Sequence, residues 1–306
     1  MLARVQQLLS LAMLAVVIAW AIGCAIAGRP VLALLAPLLI FLGHGLFLAF
    51  EFGCLAIAQK FHLSLSPTFR QLRQAWWGEV MAAAPIFFWR QPFRAQQEAD
   101  YLPAQVSGQR GVVLVHGFFC NRGFWTPWLR RLRARNVPFV AVSLEPVFGS
   151  IERYLLSIDE AVRKLELATG QPPVIVGHSM GGLAIRAWLN AFAADSRVHR
   201  IVTIGSPHQG TWLARWAHTV NGKQMRLNSA WLGRLQADEP TERYERFTCF
   251  YGHCDNIVFP GMTATLTGAD NRHLPATAHV HMAFQPVVFD EVCRWLALPA
   301  GSVTGA

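Results

Sequence analysis

Residues 174–182 read Val-Ile-Val-Gly-His-Ser-Met-Gly-Gly, an apolar β-branched run that passes directly into Gly-x-Ser-x-Gly. A chain adopts this pattern where a buried strand turns sharply into a helix. The turn is strained and crowded, so small residues, here Gly177 and Gly181, must flank the serine. The helix that follows aims its free N–H groups and positive dipole end at any anion forming beside Ser179. Residues 180–190 carry apolar side chains at helical spacing, which completes the strand–turn–helix context. Ser179 is therefore expected to be a nucleophile.

Short apolar runs at 111–115, 138–143, 173–176, 200–204 and 247–251 each predict a buried strand. Helical stretches at 124–134, 151–168, 180–192 and 286–298 fall between or after them. Such alternation predicts an α/β fold: a mostly parallel sheet with helices on both faces. Function then gathers at the carboxyl ends of strands, where Ser179 follows one end and His116-Gly117-Phe118 another. Residues 209–246 break the alternation. Trp212, Leu213, Trp216, Trp231 and Leu235 are interspersed there with Arg215, Lys223, Arg226 and Arg234, which predicts a helical lid.

A serine hydroxyl needs a base to take its proton, and a carboxylate to orient that base. On such a sheet the expected chain order is Ser, then Asp or Glu, then His. Asp255 stands just past the 247–251 strand and is preferred for the acid. Asp270 falls in a Gly-Ala-Asp-Asn turn, and Asp290 in the terminal helix pattern. For the base, Ala278-His279-Val280-His281 occupies a late loop before that helix. His279 is preferred over His281, His253 and His273. The oxyanion needs two N–H donors: Met180, which follows the serine, and Phe118, in the loop after Val115. His116 and Gly117 are assigned to shaping that loop, and His178 to supporting the turn.

At this point a resemblance is visible. Val113-Leu114-Val115-His116-Gly117-Phe118, Gly177-His178-Ser179-Met180-Gly181 and Ile204-Gly205-Ser206-Pro207-His208-Gln209-Gly210-Thr211 resemble the bacterial triacylglycerol lipase group of the α/β-hydrolase superfamily. Asp255-Asn256-Ile257-Val258-Phe259-Pro260 and the His279 segment are similar to its acid and base regions. The likeness spans residues 110–297. It implies the α/β-hydrolase fold and esterase or lipase action on lipid or acyl-ester substrates, with Ser179, Asp255 and His279 as triad. Acyl transfer or thioester cleavage would use the same triad, and a non-catalytic scaffold is the remaining alternative. Secreted members of the group hold calcium through an aspartate after the base histidine. Here Val280-His281-Met282-Ala283-Phe284-Gln285-Pro286 follows, so no metal and no cofactor are expected.

The N-terminus is where the composition matters: 53% of the chain is hydrophobic and 15% charged, and the excess sits in residues 1–59. Two apolar runs, 9–28 and 31–58, are broken only at Gly28-Arg29-Pro30. Each is long enough to cross a hydrocarbon core of about 30 Å, which predicts a transmembrane hairpin. A cleaved signal peptide is the rival for the first run, but its charged leader is only Arg4 and a second span follows at once. His44 and Glu51 fall inside the second run with no partner evident in the sequence, and are expected to face protein or an interface. Arg4, Lys60, Arg70 and Arg73 flank the hairpin against Arg29 in its turn, so positive-inside reasoning puts the following domain on the cytoplasmic side of a bacterial inner membrane.

Residues 60–109 form a connector rich in Trp, Phe and Arg, suited to the headgroup layer or to packing on the domain at 110–300. The net charge of +9 suits anionic lipid. No basic stripe with interleaved aromatics is present, so a nucleic-acid partner is not expected. Cys249 and Cys254 are spaced so that they would be able to pair, while Cys120 and Cys293 read as small buried residues.

Overall fold

The computed structural model describes residues 1–59, 66–104 and 106–297. Lys60, the first residues of the connector and the last of the 110–300 domain lie outside the described residues. Six strands form one wholly parallel sheet: β1 (Val112–Val115), β2 (Phe139–Ala141), β3 (Val174–His178), β4 (Arg200–Ile204), β5 (Phe247–Tyr251) and β6 (Asp270–His273), in spatial order β2-β1-β3-β4-β5-β6. All residues of β1 and β3 are buried, as strands covered on both faces require. Each buried Val or Ile there contributes about 1.5–3 kcal/mol of hydrophobic stabilisation. Val115 lies opposite Gly177, and His178 opposite Ile204, so the ends of β1, β3 and β4 meet at one rim.

The helices are α1 (Leu2–Ile26), α2 (Leu35–Gln59), α3 (Phe69–Pro85), α4 (Gln91–Phe93), α5 (Thr126–Ala134), α6 (Leu155–Thr169), α7 (Met180–Phe192), α8 (Val220–Gln224), α9 (Ala230–Ala237), α10 (His279–Met282) and α11 (Pro286–Ala297). α6 and α7 pack on one face of the sheet, where Ile158, Leu165, Leu183 and Trp188 join Val113 and Ile175 in the core. α5 and α11 cover the other face through Trp128, Leu132, Phe289 and Val292. The segment 209–246 carries α8, α9 and short 3-10 turns, and it is partly embedded: Ala214, Met225, Leu232 and Leu235 belong to the α6/α7 core.

β6 replaces the turn expected at Asp270. Its Asp-Asn-Arg-His sequence has no apolar alternation because its side chains are exposed or half-buried, and it is held by pairing with β5 and by the Arg272–Glu291 ion pair (2.7 Å). Asp270 there is ion-paired to Arg272, 2.7 Å away.

Two helical stretches, Leu2–Ile26 and Pro30–Gln59, are long and apolar enough to cross a membrane. Of their most apolar windows 6% and 17% is buried, so most of that surface faces outward. The exception is the last part of α2. Phe52, Cys54, Leu55 and Ala58 pack with Ala75 of α3 and with Cys254, Phe259 and Ala278. At the other end of the hairpin the Met1 ammonium lies 2.7 Å from Glu145, so both ends of the hairpin rest on the same domain.

Candidate active site

Ser179 sits between β3 and α7 with φ +55° and ψ −128°, a conformation that costs of order 1–3 kcal/mol for a non-glycine residue. The neighbouring glycines make it attainable. A Cβ on Gly181 would stand 2.5 Å from the Val115 carbonyl oxygen, and one on Gly177 would stand 2.8 Å from the Gly182 nitrogen. Ser179 N–H donates to the Ile204 carbonyl (2.9 Å), which pins the turn to β4. Met180 is the first residue of α7, so its N–H has no acceptor within the helix and projects from the helix start.

The loop after β1 lies against this turn: a Cβ on Gly117 would be 2.7 Å from Ser179 Cβ. His116 shapes the loop, donating from Nδ1 to the Gly117 carbonyl (2.8 Å) and accepting the Leu144 N–H on Nε2 (3.0 Å). These two bonds fix one tautomer, and burial lowers the ring's pKa to about 4, so His116 is neutral. Phe118 follows, half-buried in an aromatic group with Phe119 and Phe148.

The acid and base candidates meet on the far side of the turn. Asp255 and His279 are 1% and 4% exposed. Asp255 Oδ1 accepts the N–H groups of Ile257 (2.9 Å) and Val258 (2.8 Å), leaving Oδ2 to accept from His279 Nδ1 at 2.9 Å. Burial disfavours charge on the His279 ring, but the Asp255 charge and hydrogen bond, with Glu79 behind them, outweigh it, and the pKa lies above the ordinary histidine value. His178 Nε2 donates to the His279 carbonyl (3.2 Å), and its ring stacks on Phe124. The rings of His178 and His279 are 4.6 Å apart, which brings the base candidate to the residue beside Ser179. Among the described residues no hydrogen bond joins Ser179 Oγ to His279, whose ring bonds Asp255.

The rivals are engaged elsewhere. His281 Nε2 contacts Gln285 Nε2 (2.7 Å), His253 and His273 contact one another (2.6 Å), and Asp290 lies beside Arg131. His279 begins the one-turn helix α10 rather than lying in a loop. Cys249 and Cys254 are free thiols, the first beside His208 and the second in the cluster under α2. Among the described residues no group of three His, Cys, Asp or Glu is placed to hold a metal ion.

The sequence reading expected Glu51 to face protein or an interface but gave it no partner, and assigned no role to Asn256 or Glu79. Asn256 Oδ1 accepts the His279 N–H (3.1 Å), while its Nδ2 donates to Glu51 of α2 (2.6 Å). Glu79 of α3 accepts from the Val280 and His281 N–H groups (2.9 and 2.8 Å). A lone glutamate in an apolar run was the only signal for Glu51, and its partner is 205 positions away.

A parallel sheet with a serine turn at the end of β3 and an Asp–His pair beyond β5 defines an α/β hydrolase. The model of the Alpha/beta hydrolase family matches residues 112–303, and the chain belongs to that family. The mature form of Bacillus licheniformis lipase BlEst2 is similar in structure, with a TM-score of 0.55 at 17% identity, over 64% of this chain and 96% of that one. Aspergillus fumigatus lipase B gives 0.55 at 20% identity over 64% of this chain, and the match spans 55% of that lipase. Identities this low show the shared fold alone. No curated protein matches the chain in sequence.

Proposed function

We propose that the protein is a membrane-anchored serine carboxylester hydrolase acting on lipid-like acyl esters. The observation that carries the reading is the buried Asp255–His279 hydrogen bond beside the strained Ser179 turn. Ser179 Oγ attacks the ester carbonyl as His279 Nε2 takes its proton, and Asp255 holds Nδ1–H and stabilises the imidazolium. The N–H groups of Phe118 and Met180 stabilise the tetrahedral oxyanion. Collapse breaks the bond to the alcohol, which leaves with the proton from His279. Water then attacks the acyl-enzyme, gives a proton to His279, and the carboxylate departs as that proton returns to Ser179. His116, Gly117 and His178 hold this arrangement without touching the reacting atoms.

Membrane anchorage rests on α1 and α2. A 25-residue helix is about 37 Å long, against a hydrocarbon core of about 30 Å. Their largely uncovered apolar faces argue against core helices of a soluble domain. Lipid-like substrate follows from that address and from the two lipases of similar fold.

Ser179→Ala removes the nucleophile and only one side-chain oxygen atom. Turnover of a short p-nitrophenyl ester by the purified variant should drop by at least about 10³-fold with the melting temperature retained. Wild-type turnover by the alanine variant would refute the assignment.

A further inference from the structure

The short helix that begins at His279 has an unusual N-terminus. Its N-cap is Ala278, which has no side chain able to accept a hydrogen bond. An N-terminal turn leaves its first N–H groups unsatisfied, and buried ones each cost about 1–3 kcal/mol. Here the first three are met from elsewhere. The His279 N–H goes to Asn256 Oδ1, the Val280 N–H to Glu79 Oε1 and the His281 N–H to Glu79 Oε2. Glu79 lies on α3 and is 1% exposed. Asn256 is in turn fixed by Glu51 on α2, and Gln59 at the end of α2 donates to the His253 carbonyl at 2.8 Å. Close approach of α3 depends on Gly78, where a Cβ would fall 2.3 Å from His281 Nδ1.

We propose that Glu79, assisted by Glu51 through Asn256, is a positioning residue for the base His279, so that the N-terminal helices complete the active site rather than only anchor it. The proposal rests on the reading of His279 as general base. A carboxylate is suited to the task because its two oxygens satisfy two adjacent N–H groups at once, and because its charge lies near the imidazolium that forms in turnover. The groups facing Glu79 are Glu51 from α2, Asp255 from the loop after β5, and His279 and His281 from α10. Burial pushes the Glu79 carboxyl up to about 7, while the His281 and Val280 N–H groups, then His279, oppose the shift. Its charge is among those that raise the His279 pKa.

The test uses the full-length protein in detergent with four variants: Ser179→Ala, Glu79→Gln, Glu79→Asp and Phe52→Ala. Glu79→Gln keeps the shape but turns an NH₂ toward a backbone N–H. It should lower kcat by about 10- to 100-fold with KM within about 2-fold, and move the acid limb of kcat/KM to lower pH. Glu79→Asp keeps the charge and should leave the acid limb in place while recovering part of kcat. Phe52→Ala loosens the same contact between α2 and the domain, and should lower the melting temperature without moving the acid limb. Wild-type kcat and acid limb in Glu79→Gln, with Ser179→Ala inactive, would overturn this proposal alone. Should Glu79→Gln fail to fold, Glu79→Asp decides: an acid limb that moves as far as kcat falls overturns it. Full activity in Ser179→Ala would overturn the underlying reading instead.

Discussion

Gly205→Ala tests whether the Asp255–His279 pair is both present and used. Gly205 follows β4 with φ +54°, and its N–H donates to the Phe250 carbonyl at 2.9 Å. An added Cβ would stand 2.9 Å from Asp255 Oδ2 and 3.1 Å from His279 Nδ1. Neither neighbour is free to give. Asp255 is tied by the Ile257 and Val258 N–H groups, and His279 sits on a turn whose first N–H groups are all taken. The left-handed conformation costs alanine about 1–2 kcal/mol, and overpacking adds about 1–3 kcal/mol. If the fold absorbs the strain, roughly 2–5 kcal/mol of stability is lost. If the site yields instead, a shift of His279 by a fraction of an ångström lowers kcat by about 10- to 100-fold. Ester hydrolysis and thermal unfolding measured on the same preparation separate the two outcomes. Gly233→Ala is the control: it lies in α9 with nothing within 4 Å of an added Cβ, and should stabilise slightly without changing turnover. Wild-type kcat/KM and wild-type melting temperature in Gly205→Ala would refute the geometry from which the strain is worked.

Asp255→Asn should reduce kcat by about 10³- to 10⁴-fold, since the imidazole loses the partner that fixes its tautomer. Because His279 must be neutral to act and its pKa is raised, wild-type kcat/KM should climb with pH through a midpoint above the ordinary value of 6.5, and the variant's midpoint should fall below the wild type's. An acid limb unmoved by Asp255→Asn would separate that limb from His279. Arg186→Met removes the main partner of Glu239, leaving it the Tyr244 hydroxyl (2.8 Å) and Arg243 (3.8 Å). The side chains of the Arg186–Glu239 pair are 1% and 0% exposed, bonded at 3.0 and 3.1 Å, and tie α7 to the 209–246 segment. Chemical unfolding should show a loss of about 3–5 kcal/mol, and an unchanged midpoint would contradict the burial of that charge.

The legible parts of this chain were those whose cause is local. The turn at Ser179 is set by glycines two positions either side, so residues 177–181 specify it alone. β1, β3, β4 and β5 are buried on both faces and therefore appear as apolar runs. β6 did not, because its side chains are exposed or half-buried and it gains its place from backbone pairing with β5, whereas β2, at the other edge, is buried and reads as an apolar run. The break at residues 28–30 marks the hairpin for the same local reason, since Gly28 takes φ +65° and Pro30 opens a 3-10 turn. Contacts spanning hundreds of positions leave no such trace. Glu79 reads as one charge in an aromatic helix until Val280 and His281, more than 200 positions on, supply its N–H partners.

Together with the contact from Glu51 on α2, the contact from Glu79 on α3 goes beyond what a tether needs. A tether requires only apolar length, and the uncovered faces of α1 and α2 provide it. Burying Glu79 and Glu51 near Asp255 adds nothing to a tether and carries a desolvation cost of several kcal/mol per charge. Apolar residues of similar volume would seal the same contact at least as well. The connector also reaches the opposite wall of the site: Gln91 of α4, 0% exposed, accepts the Asn121 N–H (2.7 Å) in the loop that carries Phe118. Polar contacts from α2, α3 and α4 thus reach both the turn that begins at His279 and the loop that carries Phe118. Their cost is intelligible where the position of His279 relative to Ser179, rather than attachment, is what the helices supply.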